Sequence, residues 1–295
     1  MKKEDKQALG TVFVTILIGA LVALAGSQGS VRFSGLPVFA VSVTLAYVIQ
    51  WIVFIPSYIN RTEHFFDLTG GITYTVVSVL SIVLSGKMDM RSIVLIILVL
   101  TWAIRLSSFL FMRVRKAGED RRFREIKQSF WRFLQTWTLQ GLWVTFTLAA
   151  ALSVFTAERV VGFDLFLVIG AIVWAVGFAI EVAADTQKSR FKSDPGNEGE
   201  FIHGGIWAWS RHPNYFGEIV LWIGVAVIAL PVLRGWQWVT LISPIFVTLL
   251  LTKVSGIPML EKRADKRWGG QADYQVYKAN TPVLIPRKPR KTEED

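Results

Sequence analysis

Long apolar runs separated by short polar stretches are the main pattern along this chain. Eight runs are each about 16 to 24 residues long, enough for a helix to cross the hydrocarbon core of a bilayer. A helix satisfies its own backbone hydrogen bonds, so it can span lipid without an open edge. The pattern therefore predicts an all-α, multi-pass membrane helical bundle of about eight transmembrane helices. We place these spans at Thr11–Gly26, Leu36–Ile59, Phe65–Ser85, Ser92–Met112, Phe133–Thr156, Phe163–Ala184, Tyr215–Leu233 and Trp236–Thr252.

The polar stretches divide this single membrane domain, residues 1–295, into parts. Residues 1–112 hold the N-terminal helices. Residues 113–132 mix both signs of charge with aromatics, a composition typical of an interfacial helix. Residues 133–286 form a second helical part, and the charged tail 287–295 is predicted to be disordered.

Composition supports the membrane class. Hydrophobic residues make up 52% of the chain, with 12 Trp and 20 Phe, which is too apolar for a soluble domain of this length. The absence of cysteine excludes disulfides, thiolate catalysis and Cys-ligated metal centres. Only three histidines are present, and they are scattered, so the sequence predicts no metal site.

The distribution of positive charge predicts the topology. With the N-terminus inside, 26 of the 32 Lys and Arg fall in inside segments. This bias predicts cytoplasmic N- and C-termini in a cell membrane, the inner membrane in a bacterium. It also accounts for the net charge of +10 without nucleic acid as a partner.

Paired polar residues flank the inside loop between the sixth and seventh predicted spans. Glu181 and Asp185 are four residues apart at the end of one span, and Asn214 and Glu218 have the same spacing at the start of the next. Such pairs share a helix face, and ionisable groups in membrane spans usually face a polar cavity. The sequence therefore predicts that the two faces converge on one ligand. The alternative is that they only end or cap their helices.

The same loop has the features of an anion site. Pro213 suits the first turn of a helix, so unpaired backbone N–H groups are expected beside Arg211 and His212. Arg190 and Lys192, together with Lys188, could bind phosphates. For any one of these cations, attraction to anionic lipid is an equally good explanation.

The segment GGIWAWSRHPNYFGEIVLWIG resembles the C-terminal part of the steroid 5-alpha-reductase-like membrane proteins. The similarity is strong over residues 185–224 and weaker from Trp102 through GEDRRF at Gly118 to Phe123. The resemblance implies an enzyme of lipid metabolism. It would use NADPH, bound on the cytoplasmic side, to reduce a carbon–carbon double bond conjugated to a carbonyl in a lipid-soluble, steroid-like or isoprenoid substrate.

Carried over residue by residue, the resemblance implies a set of cofactor contacts. Asn214 and Glu218 match residues that hold the nicotinamide end, Asp185 matches an aspartate of the same site, and Lys192 lies at a basic position near the adenine-side phosphate. The expected cofactor-binding residues are thus Glu181, Asp185, Arg190, Lys192, Arg211, His212, Asn214, Tyr215 and Glu218. Two positions depart from the family pattern, because Glu181 replaces an asparagine and Glu200 an arginine.

The residues at the catalytic positions differ more strongly from the family pattern. The steroid enzymes polarise the substrate carbonyl with a glutamate and a tyrosine, and Phe54 stands at the glutamate position. Gln50, Tyr58 and Tyr74 are the candidate donors to a developing enolate, a role that needs a neutral hydrogen-bond donor. Each could instead be a structural side chain. The N-terminal helices are the expected substrate side, reached by a lipid-like molecule from the bilayer, with membrane lipids as neighbours.

RHPNYFG also resembles the RHPxYxG signature of membrane isoprenylcysteine carboxyl methyltransferases, which bind S-adenosylmethionine. In that reading Glu261, Tyr274 and Tyr277 would belong to the cofactor pocket. Asn214 and Glu218 favour the reductase. A transporter or scaffold is a third possibility, but it would place polar residues along the whole depth of the bundle. The oligomeric state is left open.

Overall fold

The computed structural model describes residues 2–117 and 123–289. It is nearly all helical, which confirms the predicted multi-pass membrane helical bundle. The helices are α1 Lys3–Gly26, α2 Val38–Ile59, α3 Phe66–Ser85, α4 Met90–Ala117, α5 Phe130–Phe155, α6 Leu165–Ser193, α7 Pro213–Ala229, α8 Ile242–Leu249, α9 Ile257–Trp268 and α10 Ala272–Asn280. A two-residue pairing of β1 Arg32–Phe33 with β2 Leu36–Pro37 makes a tight antiparallel hairpin before α2.

Within the described residues, seven helical segments are long and apolar enough to cross a membrane, and they correspond to seven of the eight predicted spans. The remaining one, α7, is also apolar but has only 17 residues. It begins at Pro213, as the sequence predicts. The last span is not a uniform α-helix, because a 3-10 segment (Gly235–Leu241) precedes α8 and a π-helical segment (Leu250–Val254) follows it.

By its internal contacts the chain divides into two units. The first comprises Met1–Leu167 and Ala226–Ser243. Its centre is α5, whose residues are buried almost throughout and which packs against α1, α2 and α3. Towards the start of α5, an aromatic cluster fills the space between helices; its members are Phe54, Phe66, Phe123, Phe133 and Trp137.

The second unit comprises Val168–Val225 and Pro244–Asp295. Here α6 and α7 approach so closely that backbone meets backbone. A Cβ added to Gly217 would lie 2.6 Å from both the Glu181 nitrogen and the Gly177 oxygen, and one added to Gly177 would lie 2.6 Å from the Gly217 oxygen. Only glycine permits this spacing. The contact holds Glu181 of α6 against the first turns of α7.

The two remaining predicted segments are described only in part. Within the predicted interfacial segment, 113–132, α4 continues to Ala117 and a 3-10 turn covers Ile126–Gln128, while residues 118–122 lie outside the described part of the chain. This gap includes most of the GEDRRF stretch. In the tail, residues 287–289 have no regular structure, and residues 290–295 lie outside the described part.

Candidate functional site

A cavity of about 920 Å³ lies in the second unit. Its walls come from the last turns of α6, the loop after it, α9 and α10. The lining side chains include three groups that matter chemically. The carboxylates are Asp194, Glu198, Glu200 and Glu261. The cations are Lys188, Lys192, Arg211, Arg263 and Arg267, and the aromatic rings include Phe201, Trp207, Trp268, Tyr274 and Tyr277.

Hydrogen bonds to α6 fix the loop that forms one wall. Gly205 adopts a positive φ of 61°, which lets the backbone turn back so that the Ile206 nitrogen donates to Gln187 Oε1 (3.2 Å). The Trp207 indole then donates to the Ala184 carbonyl (3.1 Å). Lys188 lies over the same indole ring, with its Nζ 4.5 Å from the ring centroid. Trp207 is thereby held as a fixed surface of the cavity.

The C-terminal segment closes the other side of this loop. The Arg211 nitrogen donates to the Pro282 carbonyl (2.9 Å), and the Ser210 hydroxyl donates to the Leu284 carbonyl (2.8 Å). Tyr277 of α10 donates its hydroxyl to the Trp207 carbonyl (2.8 Å). Residues far apart in sequence are therefore joined at the start of α7.

Glu261 links α9 to the start of α7. Its carboxylate pairs with His212 Nε2 (2.8 Å) and with Arg211 Nη2 (3.1 Å). Arg211 also donates to the Lys278 carbonyl (3.0 Å). Since a carboxylate only accepts, the His212 proton is assigned to Nε2. These contacts compensate the negative charge of Glu261 and fix the orientation of the Arg211 and His212 side chains.

Four aromatic rings pack together in the opposite wall. Phe201 lies 5.2 Å from Tyr274, 5.4 Å from Tyr277 and 6.1 Å from Trp268, measured between ring centroids. Burial, together with the hydrogen bond and charge of Asp265, raises the pKa of Tyr274 to about 12. Burial likewise raises the pKa of Tyr277 well above its ordinary value. Both hydroxyls are therefore protonated donors at physiological pH.

The structure distributes the sequence-predicted cofactor residues over three places. Lys192, Arg211 and His212 line the cavity. Arg190 is exposed and lines a different, apolar groove on α6 with Phe178 and Val182.

The other predicted residues lie along the interface of α6 and α7 and do not line the cavity. Asn214 Nδ2 donates to Asp185 Oδ1 (3.3 Å), so the two predicted polar faces do meet. Glu181 is buried and Glu218 is half-buried. Tyr215 stacks on His212 with 5.8 Å between ring centroids, which connects this interface to the cavity wall.

The three candidate donors all lie in the first unit. Gln50 is fully buried and donates to Thr73 Oγ1 (2.8 Å). Tyr58 accepts from Arg61 Nη2 (3.3 Å) and lies under the Arg61 guanidinium. Tyr74 packs edge-on against Trp102, with 5.1 Å between ring centroids.

A further donor, Trp137, was not among the sequence-based candidates. Its ring is fully buried in the aromatic cluster, and its indole N–H has no hydrogen-bond partner in the described part of the chain. The carbonyl oxygens of Gln50 and Gln140 are also buried without a hydrogen-bond partner there. A tryptophan in an aromatic-rich span gives no sequence signal for an unpaired indole N–H, since most such residues only pack.

No metal centre is formed by the described residues: among them, no group of three or more His, Cys, Asp and Glu is placed to hold an ion.

Comparisons with known proteins identify a family and one protein that is similar to a short part of this chain. The family model DUF1295, described as a protein of unknown function, matches residues 53–281. The "Probable O-methyltransferase ustE" of Ustilaginoidea virens is 34% identical over 62 residues, which cover 21% of this chain and 22% of that protein. The match thus spans about a fifth of the curated relative. No solved structure gives a significant match. Because the family model covers most of the chain, this protein belongs to the DUF1295 family of membrane proteins.

Proposed function

We propose that this protein is a membrane oxidoreductase that binds NADPH in the cavity and reduces a carbon–carbon double bond conjugated to a carbonyl in a lipid-soluble substrate. The observation that carries the proposal is the combination of five cations and several fixed aromatic rings around one cavity of about 920 Å³. A volume of this size lies within the range of cofactor pockets. The link of DUF1295 to the steroid 5-alpha-reductase-like membrane proteins supports the same function.

The chemistry of the lining suits a dinucleotide. Lys192, Arg263 and Arg267 offer charge-assisted hydrogen bonds to phosphate oxygens. Trp268 and the tyrosines offer flat faces on which a base can stack. NADPH carries several phosphates, whereas S-adenosylmethionine carries none, so the cations favour NADPH. The cofactor would supply the hydride, and the protein would supply binding and orientation.

Ligand-dependent thermal stability of the purified full chain tests the proposal. NADPH should raise the melting temperature, because a ligand bound only by the folded state stabilises that state by an amount that grows with the logarithm of the ligand concentration above its Kd. The same measurement should be made with NADH, S-adenosylmethionine and S-adenosylhomocysteine. A shift with the last two ligands and none with either nicotinamide nucleotide would overturn the reductase proposal.

A membrane S-adenosylmethionine-dependent methyltransferase is the second candidate. It is favoured by the presence of Glu261, Tyr274 and Tyr277 in the cavity wall and by the similarity to a probable O-methyltransferase. It would add a methyl group to a lipid or an isoprenylated acid. Incubation with deuterated S-adenosylmethionine should then label extracted lipids. An unlabelled lipid fraction, beside NADPH-dependent loss of an enone, would rule it out.

A further inference from the structure

Helix α9 has two faces of different character. Ile257 is buried, and Glu261, Ala264 and Trp268 follow it at helical spacing on the half-buried side that faces the second unit. The opposite face is exposed and basic, and it carries Lys262, Arg263, Lys266 and Arg267. Four cations on one side of a 12-residue helix form a concentrated positive surface.

The acidic residues of α9 do not offset this surface. Glu261 is paired with Arg211 and His212, and Asp265 is paired with Lys278 of α10. Asp265 also accepts a hydrogen bond from the Tyr274 hydroxyl (3.1 Å). Within the ranges 2–117 and 123–289, no carboxylate forms an ion pair with Lys262, Arg263 or Lys266.

The covalent connection places α9 at the surface of the bilayer. The apolar helical segment ends at Val254, and α9 begins at Ile257, after only Ser255 and Gly256. Its first turn still exposes an apolar side chain, Met259, with 38% of its surface accessible. From Glu261 onward the helix is densely charged. The start of α9 therefore lies near the boundary between hydrocarbon and headgroups, and its basic face lies in the headgroup layer.

We infer that the exposed face of α9 binds the headgroups of anionic phospholipids. Basic residues held near an anionic leaflet each contribute about a fivefold gain in binding. An acidic protein or a nucleic acid would also match the charge. Neither would explain the exposed Met259 or the position of the helix directly after a membrane span.

The interaction would have a consequence for the cavity. Arg263 and Arg267 belong to both the basic face and the cavity wall, and Glu261 and Trp268 line the cavity from the other side of the helix. Lipid bound to α9 would hold this wall in place. The inference depends on α9 and the adjoining span, so it stands whether the cavity takes NADPH or another ligand.

The test uses detergent-solubilised full chain titrated with short-chain phosphatidylglycerol or phosphatidylcholine. Since the chain has no cysteine, a single Met259→Cys substitution allows an environment-sensitive dye to report on α9. Phosphatidylglycerol should shift the dye emission to the blue and phosphatidylcholine should not. The double variant Lys262→Gln, Lys266→Gln should bind phosphatidylglycerol about 25-fold more weakly, at two cations of about fivefold each.

The matched control removes two other exposed cations, Arg287 and Lys288, by substitution with Gln. It should bind phosphatidylglycerol like the parent protein. Equal binding by the α9 variant and its parent would overturn the inference. It would also be overturned if polyglutamate or glycerophosphoglycerol, which lack acyl chains, produced the same shift, because the partner would then be a soluble anion.

Discussion

Lys192 and Arg190 stand two residues apart near the end of α6, and the fold gives them different surroundings. Lys192 lines the cavity, whereas Arg190 faces an apolar groove on another side of the helix. In the sequence both belong to one basic run. Their separation follows from helical geometry, since residues two apart lie on opposite sides.

This difference gives a test of the cavity as a nucleotide site. Lys192→Gln should weaken binding of the nucleotide by about 10- to 150-fold, because it removes one charge-assisted hydrogen bond of about 1.5–3 kcal/mol. Arg190→Gln removes the same charge from the same helix and should leave the affinity unchanged. Titration calorimetry of both variants in detergent makes the comparison. Equal losses would mean that general positive potential, rather than the cavity, attracts the ligand.

For the remaining polar residues, the sequence predicts which ones share a helix face but not which ones share the cavity. The spacing of Asp185 and Asn214 predicts two polar faces, and the hydrogen bond between these side chains agrees with that prediction. Glu261, Tyr274 and Tyr277 entered only through the methyltransferase resemblance, yet they line the same cavity as Lys192. Spacing could not group residues that lie seventy positions apart, because only the packed chain brings α9 and α10 to the end of α6.

At the scale of elements, the contact between α6 and α7 depends on Gly217. Gly217→Ala would place a methyl group against the Glu181 nitrogen and the Gly177 oxygen, and backbone cannot move aside cheaply. The helices must separate, at a cost of about 1–3 kcal/mol in the free energy of unfolding. Thermal denaturation should therefore show a lower melting temperature.

Gly204→Ala is the matched control for this substitution. Gly204 has a negative φ of −92°, and a Cβ there would meet nothing within 4 Å. The variant should therefore be as stable as the parent. If both alanine variants behaved alike, close packing would not be the reason for glycine at position 217.

In the first unit, Arg91 ties α4 to the segment before α6. It is almost fully buried and pairs with Asp164 (2.8 Å), and it also donates to the carbonyls of Gly162 and Ile228. Arg91→Met should lower the free energy of unfolding by about 2–4 kcal/mol, because it leaves a carboxylate and carbonyls without their donor. Asp164→Asn should lower the free energy of unfolding by a smaller amount, since the Asp164 side chain is partly exposed and Arg91 still donates to the carbonyls.

The same pair predicts a dependence on pH. Burial opposes ionisation of Asp164, but the hydrogen bond and charge of Arg91 outweigh it and hold the pKa of this carboxyl below its ordinary value. A lowered pKa in the folded state contributes stability above the ordinary pKa, and this contribution disappears as the pH falls through the folded pKa. Between neutral pH and strong acid, the parent should therefore lose more stability than Asp164→Asn. Parallel acid unfolding curves for the two proteins would contradict this.

At the scale of the whole molecule, the cavity constrains how the chain crosses the bilayer. Lys188 of α6 and Tyr274 of α10 line the same cavity, so the segments on which they lie must be on one side of the membrane. An even number of membrane crossings must then separate them, so α7 and the span containing α8 either both cross the membrane or both do not. The 17 residues of α7 are near the lower limit for a span.

Single cysteines in this cysteine-free chain can map the topology. We expect Ser189→Cys and Gln275→Cys to react with an impermeant maleimide from the cytoplasmic side and Arg159→Cys from the opposite side. The excess of Lys and Arg in the segments with residues 189 and 275 gives this orientation. Labelling of residues 189 and 275 from different sides would show that only one of these two segments crosses, and it would contradict the shared cavity.

The class of fold and the approximate positions of the spans follow from the sequence alone. Apolar runs of sufficient length have few alternatives to helices in lipid, so local composition is enough. The sequence also indicates the start of α7 at Pro213, because proline has one preferred place in a helix. Which polar residues share a cavity is visible only in the folded chain. That grouping depends on backbone contact at Gly177 and Gly217 and on the pairing of Glu261 with His212, which join segments that no sequence period connects.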